Sequence, residues 1–421
     1  MAKHTRPKRR DEFEVAVVCS LPLEHEAAML AFDEVWAEDE AGDKYGKAPG
    51  DWNKYNTGRI GRCNVVLVQS PFLSGAANVA KGLKSSFTGI KLVLLTGICA
   101  GVPGVRSQYN REIMLGDVMI SNVVVQYSLG EQYANHEFLR KNTLGSTDGR
   151  ASKDARNPSR LVKTDHAIEE ACNLFGLFET DQGRCSLRDD AGEIFSQIRS
   201  RTVDGRDQFK YQAPSALEDQ LFDPGYVHMH RNGSGCGCEI THACRAARAA
   251  SCDELQCDTA RLVARDRGGG AAEKDQEHGF EIFVGPIGSG NQEIKFAADR
   301  DRIARKYGIF AYDTEGAGVW DVRPTIVVKG VCDYADSHNN RKWQTYAAAT
   351  ASSVIKALLN RYSQQVPRTV AQCIEFDRHT PSLERQPPHS RNHHLSDTGS
   401  SVASWNSTRG SVLYVNDKRN I

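Results

Sequence analysis

Three acidic residues follow apolar segments of the chain, and their side chains could do chemistry together. Glu24 comes after the apolar run Phe13–Cys19, and Glu315 lies in the segment DTEGAG. Asp333 comes after the apolar run Thr325–Val331. In α/β proteins the carboxyl ends of buried strands meet at the edge of the sheet where ligands bind. Carboxylates gathered there can protonate a leaving group, activate water or stabilise positive charge, although a single one is more often a helix cap or a solvated loop residue.

A glycine-containing segment after another buried strand is the fourth candidate element. The predicted strand Lys91–Leu95 (KLVLL) is followed by Thr96, Gly97, Ile98, Cys99, Ala100 and Gly101. We expect this segment to be a turn, because glycine lets backbone N–H groups approach a ligand closely.

Alternating strands and helices are expected to position these residues. Apolar runs predict buried strands at 13–19, 65–68, 91–95, 117–125, 280–286 and 325–331. Helical patterns begin at Pro22 and cover 76–87, 292–307 and 343–362. This alternation predicts an α/β domain with a largely parallel sheet and helices on both faces.

Composition divides the 421 residues into three parts. Residues 1–10 are predicted to form a basic disordered arm, with a nuclear address as the alternative. Residues 11–363 are predicted to form the domain, and 364–421 a disordered tail or linker. Within the domain, residues 128–277 are polar with weak periodicity, apart from candidate helices at 165–175 and 190–199, and are predicted to be a long insertion.

Charge and hydropathy exclude several classes of partner. The 53 basic residues balance 53 acidic ones, so a globally basic nucleic-acid binder is excluded. No apolar run reaches the roughly 18 residues of a membrane span, and the N-terminus lacks the apolar stretch of a secretory signal. We therefore expect a cytoplasmic or nuclear protein, with no membrane partner, whose 12 cysteines are mostly thiols.

The order of the motifs resembles that of the nucleoside phosphorylase and nucleosidase superfamily, especially the fungal proteins that carry such a domain at the N-terminus of multidomain receptors. The resemblance covers about residues 14–125 and 278–362 and rests on VAVVCSLPLEHEAAML, LLTGICAGVPG, MLGDVMISN, GSGNQEIKFAADRDRIARKYG, DTEGAG and VKGVCDYADSHNNRKWQTYAAATAS. It implies a twisted mixed, largely parallel sheet flanked by helices, and assembly into homo-oligomers.

The resemblance also implies a chemistry, the cleavage of the bond between ribose C1′ and a purine. The sugar then develops positive charge, and the leaving base needs a proton at N7. By their places in the motifs, Asp333 corresponds to the general acid, Glu315 to the ribose-binding glutamate and Glu24 to the glutamate that activates water. The other residues that the resemblance places around the substrate are Thr96, Gly97, Ile98, Cys99, Ala100, Gly101, Asn291, Ile294, Asp313 and Thr314. It implies no cofactor.

The residues at two positions, Glu24 and Leu95, favour water over phosphate as the nucleophile. Phosphorolytic members of the superfamily place arginines at the positions of Glu24 and Leu95, because the guanidinium fork binds two phosphate oxygens. The expected reaction is therefore hydrolysis. The acid that the resemblance assigns to N7 implies a small-molecule purine nucleoside or nucleotide as substrate, ATP among the candidates. A phosphate-dependent phosphorylase and a non-catalytic nucleotide-sensing module are the alternatives.

The insertion also contains a group of cysteines and histidines. Zinc takes four ligands in a tetrahedron. The intervals between the cysteines do not match a standard paired zinc knuckle, so thiols without metal are the expectation and a zinc site is the alternative. The group comprises His228, His230, Cys236, Cys238, His242, Cys244, Cys252 and Cys257.

Overall fold

Nine strands form one mixed sheet flanked by helices in the computed structural model. The strands are β1 (Val15–Cys19), β2 (Glu34–Trp36), β3 (Tyr55–Ile60), β4 (Cys63–Gln69), β5 (Leu92–Gly101), β6 (Val118–Gln126), β9 (Ile282–Ser289), β10 (Ala311–Asp313) and β11 (Thr325–Asp333), while β7 (Gly130–Gln132) and β8 (Phe138–Arg140) pair separately. The helices are α1 (Pro22–Leu30), α2 (Ala76–Ser86), α3 (Asp181–Ser200), α4 (Arg245–Ala249), α5 (Ala297–Tyr307), α6 (Gly316–Trp320) and α7 (Gln344–Tyr362).

The structure describes most of the predicted domain. The described residues are 6–36, 45–70, 76–107, 110–128, 130–132, 138–140, 180–200, 210–231, 235–239, 243–265, 279–320, 325–338 and 341–362. The predicted tail and the candidate helix at 165–175 lie outside them. Residues 6–10, which we expected to belong to a disordered arm, are placed: Pro7 is buried, and its carbonyl oxygen accepts a 3.1 Å hydrogen bond from the Tyr45 hydroxyl.

The sheet order places β5 at the centre of the fold. The order is β10-β9-β6-β11-β5-β1-β4-β3-β2. The pairs β10–β9, β9–β6, β11–β5, β5–β1 and β1–β4 are parallel, whereas β6–β11, β4–β3 and β3–β2 are antiparallel. The sheet is therefore mixed and largely parallel, as the resemblance implied.

The short strand β10 closes part of this sheet on itself. It runs parallel to β9 on one side and antiparallel to the end of β5 on the other, where Tyr312 is opposite Ala100. Strands β5, β11, β6, β9 and β10 thus form a ring, which leaves none of the five with an open edge at this point.

A long buried helix supports the two central strands. Every residue of α7 from Tyr346 to Leu359 is buried, since α7 packs against β5 and β11 and is covered by α1 and α3. Such a helix has apolar and small residues all round rather than on one stripe. Contact with β11 is very close, because a Cβ atom at Gly330 would lie 1.9 Å from the Ala347 carbonyl oxygen.

The predicted strands and helices that fall on described residues are present, with several changed boundaries. The segment Thr96–Gly101, which we expected to be a turn, is instead the last part of β5. The last core helix and strand lie close to their predicted positions, but α5 begins at Ala297 rather than at residue 292. Strands β2 and β3 were not predicted. Among the described residues no helix is both long and apolar enough to cross a membrane.

Candidate active site

Strand β5 brings the predicted residues together, because it lies between β1 and β11 and runs parallel to both. Glu24 is in the first turn of α1, directly after β1. Asp333 is the last residue of β11 and is opposite Ala100 of β5. Glu315 follows β10, which pairs with the end of β5. The three carboxylates therefore come from distant parts of the sequence to one end of the ring.

Glu24 connects α1 to β5 through its carboxylate. One oxygen, Oε2, accepts hydrogen bonds of 2.8 Å from the backbone N–H groups of Ser20 and Leu21. The other, Oε1, accepts a 2.8 Å hydrogen bond from the N–H of Ile98. The side chain is buried and caps the start of α1, where the first N–H groups have no partner within the helix. The backbone donor at Ile98 that we expected to face a ligand is thus bound to Glu24.

Gly97 is the residue that lets Glu24 approach β5. Its φ of +138° is one that residues with a side chain rarely adopt, and a Cβ atom there would lie 2.1 Å from Glu24 Oε1. Only glycine gives both the backbone conformation and the space. This glycine therefore accommodates another part of the protein, in contrast to the expected turn that approaches a ligand.

A fully buried lysine, Lys329, forms an ion pair with Glu315. Its Nζ lies 3.0 Å from Glu315 Oε2, and the Thr314 hydroxyl donates a 2.6 Å hydrogen bond to Glu315 Oε1. Lys329 was not among the predicted site residues. A sequence signal for it exists: it is a single lysine within the otherwise apolar run TIVVKGV, and a charge in a buried strand requires a buried partner.

Strand register shows that Lys329 and Glu24 are on the same side of the sheet. Lys329 is opposite Gly97, the residue against which the Glu24 carboxylate packs. The next residue, Gly330, faces α7, so Lys329 points away from that helix. Burial lowers the pKa of Lys329, but Glu315, Glu24 and Asp313 outweigh burial and raise it above its ordinary value. Burial likewise raises the pKa of Glu315, and Lys329 with Thr314 outweighs this effect, so that the pKa is lowered. The pair is therefore ionised.

Asp313, which we expected to contact substrate, is buried at the end of β10. Both of its carboxylate oxygens accept from the N–H of Gly316, at 3.1 and 3.2 Å. Burial is the main cause that raises its pKa to about 6; Lys329 opposes the shift and Glu315 adds to it. Asp313 and Glu315 are thus neighbouring carboxyls whose pKa values move in opposite directions, a pattern found where acid and base roles are divided.

Asp333 is the most exposed of the three carboxylates assigned to catalysis. Its side chain is 20% exposed, against 13% for Glu315. Oδ1 accepts a 2.9 Å hydrogen bond from the N–H of Ala335, whose φ of 50° marks a tight turn. Oδ2 lies 3.8 Å from Nζ of Lys295, a lysine in the segment before α5.

Cys99 lies on β5 opposite Val331, two residues before Asp333. It is buried, and burial raises the pKa of its thiol. Lys329 lowers that pKa, whereas Asp313, Asp333 and Glu24 raise it further. Thr96 is also buried, and its hydroxyl has no hydrogen-bond partner among the described residues.

Two of the predicted substrate contacts, Asn291 and Ile294, lie in the segment between β9 and α5, next to Lys295. The N–H of Asn291 donates a 3.3 Å hydrogen bond to the Ser128 hydroxyl, and the side chain of Asn291 is exposed. Ile294 packs against a small apolar cluster that includes Tyr127 and Tyr312. Neither contact joins these residues to Glu24 or Glu315.

A separate cavity of about 360 Å³ lies between α5 and the insertion. None of the predicted site residues lines it; its wall includes Val102, Phe222, Val263, Arg300 and Arg305. The four carboxylates and this cavity are therefore different places on the molecule.

Comparisons with known proteins give one relative by sequence. The chain is 26% identical over 363 residues to a nucleotide-binding leucine-rich repeat (NLR)-like protein of Hyaloscypha variabilis. The match covers 84% of this chain and 30% of that protein, so the chain spans less than a third of the length of its relative. No protein-family model matches the chain.

Similar solved structures include purine nucleosidases. The 5′-methylthioadenosine/S-adenosylhomocysteine nucleosidase of Neisseria meningitidis matches with a TM-score of 0.42 and 13% identity, over 84% of this chain and 99% of that one. The futalosine hydrolase of Helicobacter pylori matches with a TM-score of 0.43 and 11% identity, over 83% and 98%. At these TM-scores the similarity does not by itself establish a shared fold.

Proposed function

We propose that this chain hydrolyses the N-glycosidic bond of a purine nucleoside or nucleotide. The observation that carries the proposal is the meeting of Glu24, Asp313, Glu315 and Asp333 around the end of β5, with the buried Lys329 among them. A group of carboxylates at one site suits a reaction whose transition state carries positive charge on the sugar. These residues come from three segments far apart in the sequence, which argues against a local capping role for the group as a whole.

Asp333 is proposed to protonate the leaving purine at N7. It is the most exposed of the three carboxylates proposed to act in catalysis, and the turn at Ala335 fixes one oxygen while leaving the other toward Lys295. A general acid must reach the atom that it protonates, so an accessible and oriented carboxyl group fits this role.

Glu315 is proposed to bind the ribose hydroxyls and to stabilise the developing positive charge. Lys329 and Thr314 each engage one carboxylate oxygen, which fixes the orientation of the group. The lysine also keeps Glu315 ionised despite its burial. Each oxygen retains acceptor capacity for a sugar hydroxyl, because a carboxylate oxygen has two lone pairs.

Glu24 is proposed to hold and deprotonate the attacking water. Its Oε1 has a single hydrogen bond, from Ile98, so a lone pair of that oxygen is available. The buried Ser20 hydroxyl has no partner among the described residues, and the N–H of the same residue binds Oε2. Buried hydroxyls are normally hydrogen-bonded, and a water bound beside this carboxylate would satisfy that of Ser20.

The charges around the site favour water over inorganic phosphate. Among the described residues around the four carboxylates, Lys329 pairs with Glu315, and Lys295 lies near Asp333 and Glu293. A phosphate ion would need cations that are not already neutralised, and it would meet several carboxylates. The phosphorylase alternative is therefore less well supported.

The test is release of free base by the purified chain from adenosine, methylthioadenosine and ATP, with and without inorganic phosphate. We expect release that does not depend on phosphate, and a loss of at least about 100-fold in Asp333→Asn. Glu293→Gln is the matched control, since Glu293 also pairs with Lys295 but is 67% exposed, and it should retain activity. Strict dependence on phosphate would support a phosphorylase, and full activity of Asp333→Asn would remove the proposed acid.

A nucleotide-sensing module is the second candidate, favoured by the NLR-like relative that matches 84% of this chain. Such a module would bind the nucleotide at the same carboxylates without cleaving it. Calorimetry with ATP and adenosine distinguishes the two: saturable binding with no base released over many hours favours sensing, and turnover favours hydrolysis.

A further inference from the structure

Seven cysteine and histidine side chains of the insertion and His338, from the loop after β11, form two groups of four, and each group has the composition of a zinc site. The outer cluster is His230, Cys236, Cys238 and Cys244, and the inner cluster is His228, Cys252, Cys257 and His338. Within each cluster the possible ligand atoms all lie within 4.8 Å of one another. We propose that these clusters bind two structural zinc ions, one with a Cys₃His ligand set and one with Cys₂His₂.

The spacing in the outer cluster matches a tetrahedral zinc ion. In such a site a zinc–sulfur bond is about 2.3 Å and a zinc–nitrogen bond about 2.05 Å, which separates sulfur from nitrogen by about 3.6 Å. The three sulfur atoms of Cys236, Cys238 and Cys244 lie 3.3, 3.6 and 3.5 Å from His230 Nδ1. His230 Nδ1 is thus separated from all three sulfur atoms by about the distance between two ligands of one tetrahedral zinc ion.

The inner cluster has the same spacing although its ligands come from distant segments. Cys252 and Cys257 lie 3.7 and 3.4 Å from His228 Nδ1. Cys252 also lies 3.5 Å from Nδ1 of His338, which belongs to the loop after β11. Both histidines are buried.

The surroundings of the inner histidines orient them as metal ligands. Nε2 of His228 lies 2.9 Å from the carbonyl oxygen of Ala250, and Nε2 of His338 lies 2.8 Å from that of Tyr226. A carbonyl oxygen accepts only, so each Nε2 carries the proton and each Nδ1 presents its lone pair to the cysteines. Metal-bound histidines usually have such an outer partner.

In the outer cluster, backbone N–H groups donate hydrogen bonds to two of the cysteine sulfur atoms. The N–H of Cys244 donates to Cys238 Sγ at 3.3 Å, and the N–H of Ala247 donates to Cys244 Sγ at 3.4 Å. These bonds stabilise negative sulfur. Thiolate and imidazole ligands in tetrahedral sets of four select zinc and leave no position open for substrate, which assigns the ions a structural role.

The inner site would fasten the insertion to the candidate active site. His338 is five residues after Asp333, and the N–H of His228 donates a 3.0 Å hydrogen bond to the hydroxyl of Ser337. The rings of Phe222 and Tyr226, both in the insertion, stack on His338 at 4.0 and 5.4 Å. Zinc at this position would hold the loop that carries the proposed acid against the insertion.

Metal analysis of the full chain, purified without chelator from zinc-supplemented cells, tests the proposal by elemental mass spectrometry. We expect about two zinc ions per chain, and about one in each of Cys236→Ser and Cys257→Ser. Cys185→Ser is the control, since this thiol lies on α3 outside both clusters, and it should retain both ions. Less than about half an ion per chain, or equal loss in the control, would overturn the proposal.

A second measurement covers the case in which a cysteine variant fails to fold. The wild-type chain, loaded with cobalt(II) in place of zinc, should show the intense visible d–d bands of tetrahedral cobalt and a near-ultraviolet band of sulfur-to-cobalt charge transfer. Absence of these bands in the folded wild-type chain would overturn the proposal without any variant. Neither measurement depends on catalytic activity, so the zinc sites and the proposed hydrolysis can fail separately.

Discussion

The Glu315 carboxylate and the Lys329 ammonium group form an ion pair with 3.0 Å between Oε2 and Nζ, and the lysine side chain has no exposed surface. Two charges taken out of water are costly unless they are paired and hydrogen-bonded. Here the lysine also faces Glu24 and Asp313, so one cation balances several carboxylates. Lys329 therefore stabilises this end of the ring and also orients Glu315, the residue proposed to bind the ribose.

Lys329→Met should destabilise the protein strongly, by about 3–5 kcal/mol, because the carboxylates around it lose their buried counter-charge. Urea unfolding at pH 7 measures the change. Lys329→Arg keeps the charge and should cost less than the methionine variant. Equal stability of Lys329→Met and the wild type would show that the buried pair contributes nothing.

Gly97→Ala should lower both stability and activity, since the added methyl group meets Glu24 Oε1 at 2.1 Å. The strained φ alone costs on the order of 1–3 kcal/mol. Gly104→Ala is the matched control, because Gly104 also has a positive φ, +81°, but has nothing within 4 Å of an added Cβ. A loss in Gly97→Ala no larger than that in Gly104→Ala would contradict the close contact with Glu24.

Asp313 should make the free energy of unfolding fall as the pH rises. Its pKa is about 6 in the folded chain against 3.8 ordinarily, so the native state binds this proton more tightly than the unfolded state does. Asp313 therefore makes its full contribution to the free energy of unfolding below about pH 4. That contribution, on the order of 3 kcal/mol, is lost as the pH rises through about 6.

Comparison with Asp313→Asn isolates this effect from that of Glu315. The lowered pKa of Glu315 acts in the opposite direction, with stability lost as the pH falls, and it is common to both proteins. The difference in unfolding free energy between wild type and Asp313→Asn should therefore change between about pH 4 and pH 6. A difference that is constant with pH would show that Asp313 has an ordinary pKa.

Tyr334→Phe should weaken the contact between the insertion and the loop of Asp333. The Tyr334 hydroxyl donates to Asp219 Oδ1 at 2.5 Å, accepts from the N–H of Leu115 at 3.1 Å and contacts Arg265. Loss of these bonds in a buried site should cost about 1–3 kcal/mol. We also expect a lower kcat, because Tyr334 adjoins the proposed acid; unchanged stability and kcat would show that the network is dispensable.

The sequence was sufficient to predict the elements whose pattern is local. Buried strands such as β1 and β11 are continuous apolar runs, and their carboxyl ends indicated Glu24 and Asp333. The strands β2 and β3 lack such runs: the last three residues of β3 are Gly-Arg-Ile, and β2 has only three residues. Their pairing depends on neighbours in space.

Other features could not be predicted because they depend on distant residues. The glycines after Leu95 are typical of a turn, yet pairing with β11 and β10 keeps the chain extended to Gly101. The inner cluster could not be predicted from the cysteine intervals because one of its members, His338, belongs to a different part of the domain. The outer cluster lies within residues 230–244, but its intervals differ from those of a standard paired zinc knuckle.

The closed ring of five strands has a consequence for fragments of this protein. Since β5 supplies a contact to Glu24, to Asp333 and to the strand before Glu315, a fragment that lacks any of these partners lacks part of the carboxylate site. The proposed hydrolysis should therefore require the complete ring, and neither half of the chain should show it alone.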